Sequence, residues 1–146
     1  MTHMHGLHNA ACHCRAVTFT VRLIGNPAEV SRCSCSLCSM RGAVTASAKI
    51  EDLTFLTGEG NLGLYQFQTR TAKHYFCKTC GIYTHHRRRS NPAHYGINVA
   101  CLENVSPFDF REVPVWDGTR HSADTREKDE LAGVLRFCPT QTPSAS

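Results

Sequence analysis

The sequence contains no long hydrophobic run. Its 146 residues include no stretch of about 18 consecutive apolar residues, which is the length that a membrane-spanning helix needs. The N-terminal segment MTHMHGLHNAAC also lacks the apolar core of a secretory signal. We therefore expect no membrane partner and a cytoplasmic location, where cysteine thiols stay reduced.

Strong charge of either sign is also missing. The formal net charge is +4, and the one dense basic patch is Arg87–Arg89. A run of three arginines usually forms solvated surface, and nucleic-acid binding through phosphate contacts needs a wider basic face. The composition therefore does not favour a nucleic-acid partner, and it leaves the oligomeric state open.

Internal repeats and low-complexity segments are absent, so the length indicates one domain. Short segments rich in β-branched and aromatic residues alternate with glycine and proline turns, which predicts a mainly β domain. The predicted strands cover residues 16–23, 42–50, 62–69, 72–77, 81–88 and 95–102.

Other segments are predicted to be irregular or helical. We expect a helical turn within 50–56, an irregular connection over 105–118 and a short helix over 124–136. The domain itself is predicted to span residues 10–138. A flexible N-terminus (1–9) and a flexible tail (139–146) flank it.

Cysteine, by contrast, is abundant, with nine residues of which seven fall in three groups. The groups are Cys12 and Cys14; Cys33, Cys35 and Cys38; and Cys77 and Cys80, which Gly81 follows. Clustered cysteines in a reducing compartment indicate metal ligands rather than disulfides. The two remaining cysteines are predicted to be a buried apolar residue (Cys101) and a residue without a role (Cys138).

Four of these cysteines can complete a tetrahedral zinc site. Cys12 and Cys14 can face one ion, because residues i and i+2 of an extended chain point to the same side. A C-x-x-C segment followed by glycine can curl around the same ion. We therefore expect a structural zinc site that contributes folding energy, held by Cys12, Cys14, Cys77 and Cys80. The spacing also permits a partition in which Cys33 or Cys38 joins this site.

Cys33, Cys35 and Cys38 then supply three ligands, the number typical of a catalytic zinc with one open position. Two other interpretations are compatible with the sequence. The three cysteines could form a redox cluster without metal, or a histidine could close a second structural site, the candidates being His74, His85, His86 and His94.

Charge favours the open site as a thiol-binding centre. One Zn²⁺ with three thiolates carries a net charge of −1, so it suits holding a further sulfur as thiolate better than it suits activating water. The flanking residues Arg32 and Arg41 could offset the added negative charge.

The segments CHCRAVTF, CSCSLCSMRGA, YFCKTCG and NPAHYGINVACLENV, in this order, resemble the glutathione-dependent formaldehyde-activating enzyme (Gfa-like) family. The resemblance covers about residues 10–121. It implies a β-tent fold of small twisted antiparallel sheets around zinc. It also implies that Cys12, Cys14, Cys77 and Cys80 hold a structural zinc and that Cys33, Cys35 and Cys38 hold a catalytic zinc. Members usually have glycine after the first C-x-C, where this chain has Arg15.

The resemblance further implies a carbon–sulfur lyase reaction, in which glutathione and formaldehyde condense to S-hydroxymethylglutathione. We therefore expect a zinc-dependent enzyme with a small thiol, glutathione, and a small aldehyde as its partners. His74 or Tyr75 is the candidate proton donor, and Arg87 or Lys73 the candidate partner for glutathione's carboxylates. The alternative is a non-enzymatic zinc module that contacts a protein or nucleic acid through Arg87–Arg89.

Overall fold

The computed structural model describes residues 4–120 and 128–140. Within these ranges the chain forms ten β-strands, one short α-helix and several 3-10 turns. The strands are β1 (Leu7–Ala11), β2 (Thr18–Leu23), β3 (Val30–Cys33), β4 (Thr45–Thr57), β5 (Leu62–Tyr65), β6 (Lys73–Cys77), β7 (Tyr83–Arg87), β8 (His94–Asn98), β9 (Glu112–Trp116) and β10 (Leu131–Arg136). The helix α1 spans Ser36–Arg41. The prediction of a mainly β domain is confirmed.

The strands form one twisted sheet that branches at β4. Its main path runs in the order β10-β9-β3-β4-β8-β7-β6-β5, and β2 joins β4 while carrying β1 on its other edge. One edge of the long strand β4 pairs with β8, and its other edge is shared between β3 and β2. All of these pairs are antiparallel except β3 with β9, which is parallel. The sheet is therefore mixed at this one pair, whereas small twisted antiparallel sheets were expected.

The core lies where β2, β4 and β8 meet. Thr18–Leu23 alternates in burial, so Phe19, Val21 and Leu23 face inward, as a half-buried strand requires. Ala46 and Ala48 of β4 are fully covered and leave room for the larger Ile97 of β8. This core holds the sheet branches together, and it includes Cys12 and Cys77.

Two segments predicted to be helical are strands. Residues 50–56 were expected to contain a helical turn, yet β4 continues through Glu51 and Asp52 to Thr57. β2 pairs with residues 53–57, beyond a register shift between Val21 and Leu23. The helix expected over 124–136 is wrong for 131–136, which forms β10 against β9, and residues 124–127 lie outside the described ranges.

Three further boundaries differ from expectation. The irregular connection over 105–118 contains β9, and the strand predicted over 95–102 ends at Asn98, followed by a 3-10 turn. Within the segment 1–9 that was expected to be flexible, Met4 is 2% exposed and β1 begins at Leu7. Residues 1–3 and 141–146 of the predicted flexible ends are not described. No helix in the described ranges is long and apolar enough to cross a membrane.

Candidate metal centres

The first cysteine group gathers four thiols from two distant parts of the chain. Cys12 and Cys14 lie in the turn between β1 and β2, whereas Cys77 ends β6 and Cys80 lies in the turn before β7. All four sulfurs lie within 4.8 Å of one another. The Cys14 sulfur is 3.7 Å from the sulfurs of both Cys12 and Cys77. Zn–S bonds of about 2.3 Å give a tetrahedron edge of about 3.8 Å, so this donor set fits zinc.

Backbone amides stabilise the sulfurs of this four-cysteine site. The Val17 N–H donates to the Cys12 sulfur at 3.4 Å, and the Thr79 N–H donates to the Cys77 sulfur at 3.4 Å. The side-chain amide of Asn61 adds a donor to Cys77 at 3.5 Å. Hydrogen bonds from the backbone at Cys14 and Ile82 lower the pKa of Cys80 to about 6. Such donors favour the thiolate form that a metal requires.

The turns around this site use the left-handed backbone region. Gly81, after Cys80, has φ +79°, and Arg15, after Cys14, has φ +63°. Glycine adopts this conformation without strain, whereas a residue with a Cβ does not. The departure at Arg15 noted in the sequence therefore leaves the turn in place at a cost in backbone strain.

The second group is built locally by the end of β3 and the start of α1. Cys33 is the last residue of β3, Cys35 is the N-cap of α1, and Cys38 lies in its first turn. The Cys35 N–H donates to the Cys33 sulfur at 3.4 Å, and the Cys38 N–H donates to the Cys35 sulfur at 3.3 Å. Hydrogen bonds from the Cys33 and Cys38 thiols lower the pKa of Cys35 to about 2. The three sulfurs also lie within 4.8 Å of one another.

No other described ligand completes this three-cysteine site. A histidine nitrogen or carboxylate oxygen within 4.8 Å of all three sulfurs does not occur in residues 4–120 or 128–140. None of the four histidines considered from the sequence therefore closes the site. The cluster instead borders a cavity of about 400 Å³, which is within the usual size range for small-molecule sites. Its described lining contains no aspartate or glutamate.

Strand pairing decides which side chains face this cavity. In the register of β6 and β7, His74 lies opposite His86, while Lys73 lies opposite Arg87 on the other face of the sheet. His74 and His86 line the cavity, and so does Arg88 beyond the end of β7. Arg87 and Lys73, the expected partners of glutathione's carboxylates, do not line it. The Arg87 Nε donates instead to the Pro92 carbonyl at 2.8 Å.

The two candidate proton donors, His74 and Tyr75, also lie on opposite faces of the sheet. Tyr75 stacks on the buried His85, with ring centroids 4.7 Å apart, on the face away from the three cysteines. His74 stacks between Phe67 and His86, with centroid distances of 5.9 Å and 5.1 Å. These stacked rings form one wall of the cavity.

Arg41 connects this wall to the three-cysteine site. One guanidinium nitrogen donates to His74 Nδ1 at 3.1 Å, and the other donates to the Cys38 sulfur at 3.7 Å. The guanidinium carbon also lies 3.6 Å from the ring centroid of Tyr83. Burial, with a smaller contribution from Arg41, lowers the pKa of His74 to about 4. His74 is therefore neutral at pH 7, with Nδ1 accepting and its proton on Nε2. Of the two arginines expected to flank the cluster, Arg41 is the one with a contact to a cysteine sulfur.

Gly118 is a site residue that the sequence did not reveal. The parallel pairing of β9 with β3 brings the chain beyond Trp116 back onto the three cysteines. The Gly118 N–H donates to Ser34 Oγ at 3.0 Å. A Cβ at this position would lie 2.4 Å from the Cys33 sulfur and 2.5 Å from the Cys35 nitrogen. The contact spans more than eighty positions of sequence, so no local pattern indicates it.

The two cysteines outside the groups have different surroundings. Cys101 is 7% exposed, and burial raises its pKa to about 12. It therefore behaves as the buried apolar residue that was expected. Cys138 is exposed.

Comparison with known proteins places this chain in a family. The model for the family described as "Glutathione-dependent formaldehyde-activating enzyme" matches residues 7–116, a range that contains both cysteine sites. The chain belongs to this family. Its fold is also similar to the crystal structure of a Rhodobacter sphaeroides protein with 57% sequence identity and a TM-score of 0.71. That similarity covers 73% of this chain and 98% of the other. The resemblance to the Gfa-like family is confirmed, over residues 10–116 of the 10–121 expected.

Membership of the formaldehyde-activating family agrees with the two thiol clusters, both of which could hold a metal ion. The arginine triplet, on which the binding-module alternative depended, does not form one exposed face. Arg87 bonds the Pro92 carbonyl, whereas the buried Nε of Arg88 lies by the cavity of the three cysteines. This separation weakens that alternative.

Proposed function

We propose that this protein is a zinc-dependent carbon–sulfur lyase that adds a small thiol, glutathione, to formaldehyde or a related small aldehyde. The observation that carries the proposal is the three-cysteine site. It brings three sulfurs together beside a cavity in which no described side chain provides a fourth ligand. Three protein ligands and an open position are typical of a catalytic zinc, whereas structural zinc sites are closed.

The donor sets fit two zinc ions with different roles. Cys12, Cys14, Cys77 and Cys80 would hold a structural zinc, and Cys33, Cys35 and Cys38 a catalytic zinc. When bound to the three thiolates, Zn²⁺ would supply an environment in which a substrate thiol is kept deprotonated but remains nucleophilic. The cytoplasmic location expected from the sequence would keep small thiols in their reduced form.

His74 and Arg41 are placed to orient the second substrate. Because His74 Nδ1 accepts from Arg41, its Nε2–H is the free donor. We assign this N–H to hold the aldehyde oxygen. Arg41 contributes a positive charge next to Cys38, which offsets the negative charge of the thiolate cluster. The phenol of Tyr75, on the other face, has no part in this arrangement.

The reaction balances without an additional reagent. The substrate thiol loses its proton to water, its sulfur forms a bond to the aldehyde carbon, and the carbonyl π pair moves to oxygen. That oxygen takes a proton from water to give the hydroxymethyl product. A neutral His74 orients this oxygen and does not need to transfer a proton itself. The catalytic contribution is therefore mainly proximity and thiolate formation.

The test is the rate of adduct formation followed by NMR with ¹³C-formaldehyde and glutathione, using protein loaded with zinc. The wild-type protein and Cys138→Ser, which changes an exposed cysteine outside both clusters, should exceed the uncatalysed rate equally. Cys35→Ser should fall to the uncatalysed rate. A wild-type rate equal to the uncatalysed one, or an equal rate for Cys35→Ser and wild type, would refute the proposal.

A further inference from the structure

The side chain of Arg88 lies at the three-cysteine cavity, a position for which folding alone gives no clear need of an arginine. Its backbone N–H donates to the His94 carbonyl at 3.0 Å, which extends the pairing of β7 and β8 by one residue. Arg88 is two positions beyond His86, so it shares the face that looks onto the three-cysteine cavity. It lines that cavity together with His74 and His86.

One nitrogen of the Arg88 guanidinium, Nε, lacks a hydrogen-bonded partner. This nitrogen is buried without one, a condition shared by one other side-chain atom of the described residues, His8 Nε2. By contrast, Arg87 donates to Pro92 O, Arg41 to His74 and Arg136 to Glu112. Burial lowers the pKa of Arg88, with Tyr83, Cys38 and Cys33 acting in the opposite direction.

Arg88 is half-buried, and its Nε is covered without a partner. A covered donor of a charged group is costly for folding, so it normally has a partner in the functional state. The described lining of the cavity contains no carboxylate that could serve. A guanidinium offers a planar fork of donors that matches a carboxylate. A ligand that carries both a thiol and a carboxylate could place its sulfur at the three cysteines and its carboxylate at Arg88, within the same cavity.

We propose that Arg88 forms a carboxylate-binding subsite, through which the cavity selects thiols that carry a carboxylate over neutral thiols. The subsite rests on the proposed function only in assuming that the thiol binds in this cavity. It assigns the recognition of the substrate's carboxylate to Arg88 rather than to Arg87 or Lys73, which face away.

The test is the calorimetric affinity of the zinc-loaded protein for two thiols, without aldehyde. Glutathione carries its two carboxylates, and its diethyl ester has the same thiol with both carboxylates blocked. The wild type should bind glutathione more tightly than the diester. Arg88→Gln should weaken glutathione binding by about tenfold to a hundredfold, the value of a charge-assisted hydrogen bond, and leave diester binding unchanged. Arg87→Gln, the same change one residue away, should leave both affinities at the wild-type values.

Three results would refute the subsite. They are an equal affinity of the wild type for both thiols, an unchanged affinity of Arg88→Gln for glutathione, and an equal loss of affinity for both thiols in Arg88→Gln. The last result would mean that Arg88 acts on the charge of the cysteine site instead. If Arg88→Gln does not fold, Arg88→Lys replaces it, since lysine keeps the charge but loses the fork. An unchanged preference in Arg88→Lys would then count against the proposal.

The experiment separates this inference from the proposed reaction. Glutathione binding that depends on Arg88, with no acceleration of adduct formation, would refute the lyase and leave the subsite. Acceleration without a preference between the two thiols would refute the subsite and leave the lyase. A second readout is thermal stability without ligand. Removing a half-buried charge whose Nε has no partner should raise the melting temperature of Arg88→Gln above that of the wild type, whereas Arg87→Gln should not show this gain.

Discussion

The two cysteine clusters differ in how the chain builds them. The four-cysteine site joins the turn between β1 and β2 to the turn between β6 and β7, with sulfurs contributed from residues 63 positions apart. The three-cysteine site comes from six consecutive residues at the junction of β3 and α1. A metal that joins distant segments restricts the whole chain, whereas a local cluster restricts one loop. The first arrangement favours stability, and the second leaves a ligand position available for chemistry.

The surroundings of the sulfurs follow the same division. Val17, Thr79 and Asn61 surround the four-cysteine site with neutral N–H donors. The three-cysteine site faces a cavity and has cationic side chains nearby, from Arg41 and Arg88. Neutral donors suffice where the ligand set is complete. Positive charge is useful where a further anionic sulfur is to be accepted.

The largest expected effect is a difference in stability between a variant of the four-cysteine site and a variant of the three-cysteine site. Cys77 is fully buried, and Cys77→Ser removes a ligand from the site that joins the two halves of the sheet. We expect this variant not to fold, because the free energy of binding a structural zinc can equal the whole free energy of unfolding of a small domain. Cys35→Ser should unfold in urea close to the wild type, since serine also serves as an N-cap. Urea unfolding followed by circular dichroism measures both. A folded Cys77→Ser variant would contradict the division of roles.

The second prediction concerns two glycines, one beside each site. Gly118→Ala places a Cβ 2.4 Å from the Cys33 sulfur, so the three-cysteine site must shift. The expected result is a drop from two bound zinc ions to one and a loss of about a hundredfold or more in rate, as displaced catalytic groups show. Gly81→Ala meets open space, but at φ +79°.

Gly81→Ala should keep both zinc ions and the wild-type rate while losing about 1 kcal/mol of stability. Metal content by mass spectrometry under native conditions distinguishes the two variants. Two zinc ions retained in Gly118→Ala would show that β9 does not restrict the three-cysteine site.

A smaller effect is expected from the donors to the sulfurs. Arg41→Gln removes a positive charge near Cys38 and a donor to His74. It should slow adduct formation by about tenfold, which corresponds to one lost electrostatic contact of about 1.4 kcal/mol. Asn61→Ala, which removes the neutral donor to Cys77, should leave the rate unchanged and lower the unfolding free energy by about 1 kcal/mol. Rates and urea midpoints measured on both variants check the contrast, and equal effects on rate would contradict it.

The smallest effect is expected at Arg15. Its φ of +63° is strained for a residue with a Cβ, so Arg15→Gly should relieve the turn after Cys14. The gain is reduced by the greater freedom of glycine in the unfolded chain, and we expect a net increase of about 0.5 kcal/mol in unfolding free energy. The rate should stay the same, because the change lies at the four-cysteine site. A loss of stability would mean that the arginine side chain contributes a contact of its own.

Local sequence patterns predicted part of the fold. The alternation of AVTFTVRL correctly indicated β2, because one face of that strand is buried throughout. The same reasoning failed for residues 50–56 and 131–136. Glu51 and Asp52 have low strand propensity, yet β4 continues through them, between its pairing with β8 over 45–49 and its pairing with β2 over 53–57. The pattern of LAGVLR is compatible with a helix, but pairing with β9 makes it β10.

The sequence by itself indicated, in outline, the two groups of cysteines that could hold metal ions, because neighbouring cysteines at these spacings can face one ion. It also determined the mainly β character and, through its motifs, the family. The tertiary structure decided the rest. Strand register turned Arg88 toward the three cysteines and Arg87 away, and the parallel return of β9 brought Gly118 against Cys33. Those contacts join residues far apart in the chain, and local spacing carries no information about which face of a sheet a distant strand will present.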